Sequence, residues 1–276
     1  MAVELPPLSI VRRILEEGGG RLGTRVDVVG PWGSGKAVVA LEACRAVGTG
    51  MIYLTAGRPE AEAAYEDLST FAGESVCATL PAWEVLPTDK MAPADDIVAE
   101  RLDTLRRVSE ASDQGKPLYL CLSVRALLQY VVEKQKLISN RVRLAVGEEH
   151  DIETLVEKLL EMGYRREMMV EQRGEMSVRG GIFDIFPISA ELPCRVEFFG
   201  DEIESIRRFE PETQRSIGQL DEIEILPRSE KTLLGDAAKG EGLAPVTEYL
   251  APDTLVVIDE PLGVLEEARK LARQVG

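Results

Sequence analysis

The sequence is short of the residues that carry metal and redox chemistry. It has one histidine, His150, and four cysteines, Cys44, Cys77, Cys121 and Cys194, which lie far apart with no CxxC pair. A zinc site draws on clustered Cys and His ligands, so no metal ligands are assigned and the thiols are expected to be reduced and mostly buried. No apolar run is long enough to span a bilayer and no charged-then-apolar leader opens the chain, which points to a cytoplasmic protein without a membrane partner. Runs of Lys and Arg are missing too. With 32 basic and 48 acidic residues the formal net charge is −16. Sequence-independent duplex binding needs basic clusters that neutralise phosphates, so nucleic acid is not the obvious partner of this segment.

What is present reads as a folded chain. The apolar fraction is 45% over 276 residues, room for about two domains with real cores. "LSIVRRILEE", 8–17, places Ile10, Val11, Ile14 and Leu15 on one helical face. "RVDVVG", 25–30, reads as a short buried strand, and "KAVVALEACRAV" after it as a helix. "MIYLTA" is a buried strand, "RPEAEAAYEDLSTFA" a helix, "DDIVAERLDTLRRVSEA" a helix and "PLYLCLS" a strand. Alternation of this kind predicts a parallel sheet covered on both faces. Near residue 140 the texture changes to strand, helix and then short alternating strands, as in an antiparallel sheet. Residues 229–245 read as loop with room for a short helix, and the end returns to helix "VTEYLA", buried strand "TLVVIDEP" and helix "GVLEEARKLARQV". The expected organisation is an α/β domain over 1–140 and 229–276, interrupted by an α+β insertion over 141–228.

Three motifs carry chemistry. Gly30, Gly33, Ser34, Gly35 and Lys36 follow the phosphate-binding loop pattern, Gly, four residues, Gly-Lys, then Ser or Thr, but the last position is Ala37. Backbone N–H groups at a helix start can cradle phosphates, with Lys36 reaching the outer ones. Ala37 has no hydroxyl for magnesium, which phosphoryl transfer needs. The other reading of the loop is a tight turn whose glycines only let the helix pack. Asp259 and Glu260 end the strand "TLVVIDEP", where Asp259 could hold magnesium and Glu260 orient water. ATP or ADP with Mg is therefore expected to bind weakly if at all. No cofactor is required, and no catalytic residue is assigned. The third motif is Arg179, Arg195 and Phe199. Arg195 and Phe199 share one strand face by period two, unless Phe199 is core and Phe198 points outward. Spacing alone favours a hairpin-rich sheet with a solvated charged face; the sharper reading is that exposed arginines beside an aromatic have the composition of a protein-binding hot spot, with either arginine removable without loss of fold.

The run "RGGIFDIFP…PCRVEFFGDEIESIRRFEPETQRS" closely resembles the inserted domain shared by UvrB and the bacterial transcription-repair coupling factors. "PAWEVLPTDKMAPADDIVAERLDTLRRV", 81–108, and "SVRALLQ", 123–129, are similar to the coupling factors, and the tyrosine-rich DNA-clamping hairpin of UvrB has no counterpart. Where UvrB carries Asp-Glu-Ser-His, this sequence has Pro261 and Leu262 after Asp259 and Glu260. The resemblance implies a RecA-like parallel-sheet domain interrupted by a UvrB-type domain. It also implies a UvrA-recruiting module of nucleotide excision repair coupled to transcription, with the UvrA contact falling on Arg179, Arg195 and Phe199. An intact protein of the family is an ATP-driven translocase with RNA polymerase and duplex DNA as further partners. The alternative is an active UvrB-like ATPase that binds damaged DNA.

Overall fold

A computed structural model describes residues 25–83, 94–228 and 242–275. The expected helix at 8–17 and most of the expected loop at 229–245 lie outside the described residues. The chain forms two compact units, divided between Gln129 and Tyr130 and between Ala244 and Pro245, with residues up to Arg106 of the segment from 94 counted in the second unit. The sequence alone had set the boundaries at 140/141 and 228/229.

The first unit is built on a parallel sheet. It contains α1 (Gly35–Val47), β1 (Met51–Thr55), α2 (Arg58–Ala72), β2 (Cys77–Leu80), the C-terminal part of α3 (Asp95–Gln114) and β3 (Tyr119–Ser123). Helix α4 (Val124–Leu128) follows at once, with the Ser123 side chain accepting the Ala126 N–H as its cap. The strand order is β14-β1-β3-β2, where β14 (Leu255–Ile258) comes from the end of the sequence and leads into α7 (Pro261–Val275). Strands β1 and β3 are buried along their whole length, as central parallel strands must be. They pack with Ala37, Ala40, Leu41 and Cys44 of α1 and Ala64 and Leu68 of α2 into one apolar cluster.

Three expectations fail here. Residues 25–30 are not a strand: they find no ladder partner among the described residues, and Val29 is 95% exposed. Both sides of β1 are already taken, by β14 and β3. Strand β14 is not buried either, because it is the edge of this sheet; Val256 and Ile258 are exposed. "VTEYLA" is a single 3-10 turn, Val246–Tyr249, rather than an α-helix, and Pro252 opposes continuation of the helix through the residue before it. All four cysteines are free and buried. Among the described residues no helix is long and apolar enough to cross a membrane.

The second unit holds the mainly antiparallel architecture expected from its short alternating strands, with one parallel pair at Arg165–Arg166 and Glu175–Met176. Strands β4 (Tyr130–Val132) and β13 (Leu243–Pro245) pair, with α5 (Lys134–Ser139) between them in sequence. Strand β5 (Val142–Ala145) pairs with β12 (Glu222–Ile225). Helix α6 (Ile152–Glu161) starts at Asp151, whose carboxylate accepts the Thr154 N–H at 2.7 Å. Six strands form the main sheet in the order β11-β10-β9-β8-β7-β6: β6 (Arg165–Arg166), β7 (Glu175–Arg179), β8 (Ile182–Ile185), β9 (Cys194–Phe199), β10 (Glu202–Phe209) and β11 (Ser216–Leu220). Its inner face, with Met176, Phe183, Ile185, Val196, Phe198 and Ile206, packs on Leu155, Val156 and Leu159 of α6 and on β5 and β12.

Buried Tyr164 ties this core to the chain that leaves it. Its hydroxyl donates to the Leu226 carbonyl at 2.8 Å and accepts the Ile188 N–H at 3.4 Å. Tyr164→Phe removes that partner from two buried backbone groups and is expected to cost about 1–3 kcal/mol in urea unfolding, with an unchanged far-UV spectrum. A change within error would show that the hydroxyl contributes nothing net.

Candidate functional site

In the first unit, Gly30 and Gly33 take positive φ (108° and 52°) and turn the chain into α1. The Gly35 N–H donates to the Trp32 carbonyl at 3.1 Å and the Lys36 N–H to the Gly33 carbonyl at 3.1 Å. These loop donors, which a phosphate would use, close the turn itself. The Ser34 hydroxyl donates to Asp67 of α2 at 2.7 Å. Parallel pairing of β14 with β1 carries Asp259 and Glu260 to the same edge, the Asp259 N–H donating to the Leu54 carbonyl at 2.9 Å. The structure thus brings the glycine loop and the two carboxylates together. Their contacts are with each other: Lys36 Nζ donates to Asp259 Oδ1 at 2.8 Å and to Glu260 Oε1 at 2.9 Å. Glu260 reaches the lysine from a left-handed backbone (φ 48°), a conformation that costs a side-chain-bearing residue on the order of 1–3 kcal/mol. Hydrogen bonds to Asp259 and Glu260 raise Lys36 above its ordinary value, and Lys36 holds Glu260 below the usual carboxylate range. Burial, and then Asp259, push the Tyr53 hydroxyl up. Ala37 is buried in the α1 cluster and offers no hydroxyl.

In the second unit, the outer face of the six-stranded sheet carries the other motif. Strand β9 alternates, with Cys194, Val196 and Phe198 inward and Arg195, Glu197 and Phe199 outward. Phe199 is 80% exposed and Phe198 is 9% exposed, which settles the choice between them. Register places Asp184 beside Arg195 and Ile182 between Arg179 and Glu197. Arg195 donates from Nε to Asp184 Oδ1 at 2.7 Å and from Nη2 to Oδ2 at 2.9 Å, and Arg179 donates to Oδ2 at 3.3 Å. Asp184 is the chief cause that raises Arg195. The Arg195 guanidinium also reaches Gln214 and lies 4.8 Å from the centre of the Phe209 ring. Next to it Arg207 pairs with Glu197. Arg179, Arg195 and Phe199 therefore share one face. Their exposures differ: the Arg179 side chain is 54% exposed and that of Arg195 18%. Arg195 clamps a buried carboxylate, so the expectation that either arginine is separable from the fold does not hold for it. Sequence reasoning missed Asp184, Gln214 and Phe209. The one signal was a lone Asp inside the apolar run "IFDIF".

The two hairpins beside this face are built by glycine. Gly200, at φ 64°, opens the two-residue turn between β9 and β10, as a II′ turn requires at its first position. A Cβ on Gly181 would lie 2.6 Å from the Phe198 carbonyl, so the β7–β8 turn tolerates only glycine there. The β9–β10 tip is braced by the His150 N–H donating to the Asp201 carbonyl and the Ile203 N–H to Glu148.

Residues 142–230 match the UvrB interaction domain family. Beyond it, the chain is similar to a transcription-repair-coupling factor of Myxococcus xanthus, 36% identical over 219 residues that cover 77% of this chain and 18% of that protein. It is 41% identical over 174 residues to one of Mycobacterium tuberculosis, covering 62% of this chain and 14% of the other. With one of Staphylococcus aureus it shares 30% over 211 residues, covering 76% and 18%. The chain thus spans less than a fifth of the length of these curated relatives. The matched residues include Arg179, Asp184, Arg195 and Phe199; the glycine loop lies outside them.

The lysine cluster has a defined pH signature. Glu260 is held below its ordinary 4.5, so its contribution is complete above that pH and is lost as pH falls through the lowered value. Lys36 is raised above 10.5, so its contribution is complete below that pH and is lost as pH rises through the raised value. Lys36→Met is expected to lower the thermal midpoint at neutral pH by about 2–4 °C. Because the parent loses its Glu260 contribution in acid, the deficit should shrink below pH 4.5. A deficit that stays constant from neutral pH to about pH 3 would show that the ion pairs contribute nothing.

Proposed function

We propose that this chain is the UvrA-recruiting part of a transcription-repair coupling factor, acting in transcription-coupled nucleotide excision repair. The observation that carries the reading is the outer sheet face of its UvrB interaction domain, where exposed Phe199 stands beside Arg179 and an Arg195 fixed on Asp184. An aromatic with arginines is the composition of a binding hot spot, and the surplus of positive charge on this face suits an acidic patch on the partner. We read the first unit as a RecA-like domain whose nucleotide site is vestigial. RNA polymerase and duplex DNA are proposed partners of a whole coupling factor, and the cytoplasm its compartment.

Arg179→Ala and Phe199→Ala are each expected to weaken UvrA binding about tenfold or more in titration calorimetry, with thermal midpoints close to the parent's. If both variants bind UvrA like the parent, this face is not the contact.

The rival reading, a UvrB-like ATPase acting on damaged DNA, has less support. The loop lysine is engaged by two carboxylates, two of the loop's N–H groups close the turn, and Ala37 lacks the hydroxyl. Ligand at a hundred times its dissociation constant stabilises a protein by about 2.7 kcal/mol, so binding would be easy to see. Millimolar Mg-ATP is expected to leave the thermal midpoint unchanged and to be hydrolysed no faster than in buffer. A saturable rise that disappears in Lys36→Ala would overturn the vestigial reading.

A further inference from the structure

Asp184 is almost wholly shielded from water, its side chain 1% exposed, yet both Arg179 and Arg195 of the outer face end on it. We propose that Asp184 is a positioning residue for this face: it fixes Arg179 and Arg195 at one spacing before any partner arrives. The inference rests on the reading of the face as the UvrA contact, and adds how the face presents its charge.

The two arginines divide the work. Arg195 gives Nε and Nη2 to the two oxygens of Asp184, and its Nη groups also reach the Gln214 carbonyl and side-chain oxygens. It is held from within. Arg179 has a single bond to Asp184 Oδ2 and keeps further N–H donors for a carboxylate on the partner. One carboxylate against two guanidiniums leaves one positive charge, at a place set by the buried anion. Gln214 adds to this from the other side. Its backbone is left-handed (φ 59°), and its side-chain amide donates to the Pro211 carbonyl at 2.8 Å, which aims its oxygen at Arg195.

Positioning and plain charge balance predict opposite signs. If Asp184 only offsets positive charge, Asp184→Asn makes the face more cationic and tightens binding to an acidic surface. If it positions the arginines, the same change weakens binding although the face gains positive charge. The experiment titrates purified UvrA against the 276-residue chain, Asp184→Asn, Arg179→Ala and the double variant. Asp184→Asn is expected to bind about tenfold more weakly, and to cause little further loss in the Arg179→Ala background. Tighter or unchanged binding of Asp184→Asn overturns the proposal, as does an equal loss in both backgrounds, which marks general destabilisation. Nitrogen-15 relaxation of the arginine Nε–H groups gives a readout that needs no partner and no variant. Both Arg179 and Arg195 should be ordered in the free parent protein, and a freely rotating Arg179 there overturns the proposal. If the parent fails to bind UvrA, the choice of partner falls, while the relaxation data still decide the positioning role.

Discussion

If β9 slipped by one residue against β8, Cys194, Val196 and Phe198 would change places with Arg195, Glu197 and Phe199. Period-two geometry allows nothing between these states. The slipped strand would drive a guanidinium and a carboxylate into the cluster around Phe183 and Ile206, and leave Phe198 in water. The observed register does the reverse, and it also sets Asp184 directly beside Arg195. That pairing makes a nearly buried carboxylate tolerable, since a charge removed from water has to be paired and hydrogen-bonded. The same constraint therefore closes the apolar core on one side of the sheet and lays out the charged face on the other. The glycine turns on either side of β8 and β9 serve this register: Gly181 lets the β7–β8 hairpin approach the Phe198 carbonyl, and Gly200 sets the β9–β10 turn.

The two candidate sites are both built from cations resting on carboxylates, with opposite balance. In the first unit one lysine meets two carboxylates, so the cluster is net negative and the lysine's charge is used inside the protein. A polyphosphate arriving there would meet two anions and a cation already bonded to both. In the second unit one carboxylate meets two arginines, so a positive charge is left over. In a chain of net charge −16 that surplus is local, and close charges outweigh distant ones because salt screens beyond about 8–10 Å. The sign of each remainder is consistent with the proposed roles: an internal tie in one unit, a surface for an acidic partner in the other.

Much of this was legible in the sequence, for a physical reason. Elements with strong periodicity, such as α2 at Arg58–Ala72 and β9 with its alternating Arg195, Glu197 and Phe199, declare themselves locally. The return of "TLVVIDEP" to the first sheet could be argued because strand and carboxylates form one motif. What stayed hidden depends on partners distant in sequence. Residues 25–30 have the composition of a strand but no ladder to join, and β14 has that of a buried strand but lies at an edge. The pairing of β4 with β13 leaves no local trace. Asp184 received no role from the sequence. That two arginines cover it follows from the register of three strands, which no window of sequence contains.

Placing the proposed contact on strands instead of loops has an energetic consequence. Association loses about 0.5–1.5 kcal/mol for each rotamer-rich side chain that must be immobilised. An arginine normally carries much of that loss. Arg195 does not, because Asp184, Gln214 and the Phe209 ring already hold it in the free protein. Phe199 has only two side-chain torsions to lose, and its backbone is fixed at the end of β9, beside a turn braced through His150 and Glu148. Arg179, with one bond to Asp184 and half its side chain in water, is the member with the most freedom left. The face thus combines an aromatic on a fixed backbone, a clamped arginine and a second arginine tethered to the same carboxylate. In such an arrangement the ordering of the contact is largely done during folding, and the interaction free energy of the face goes mainly into affinity.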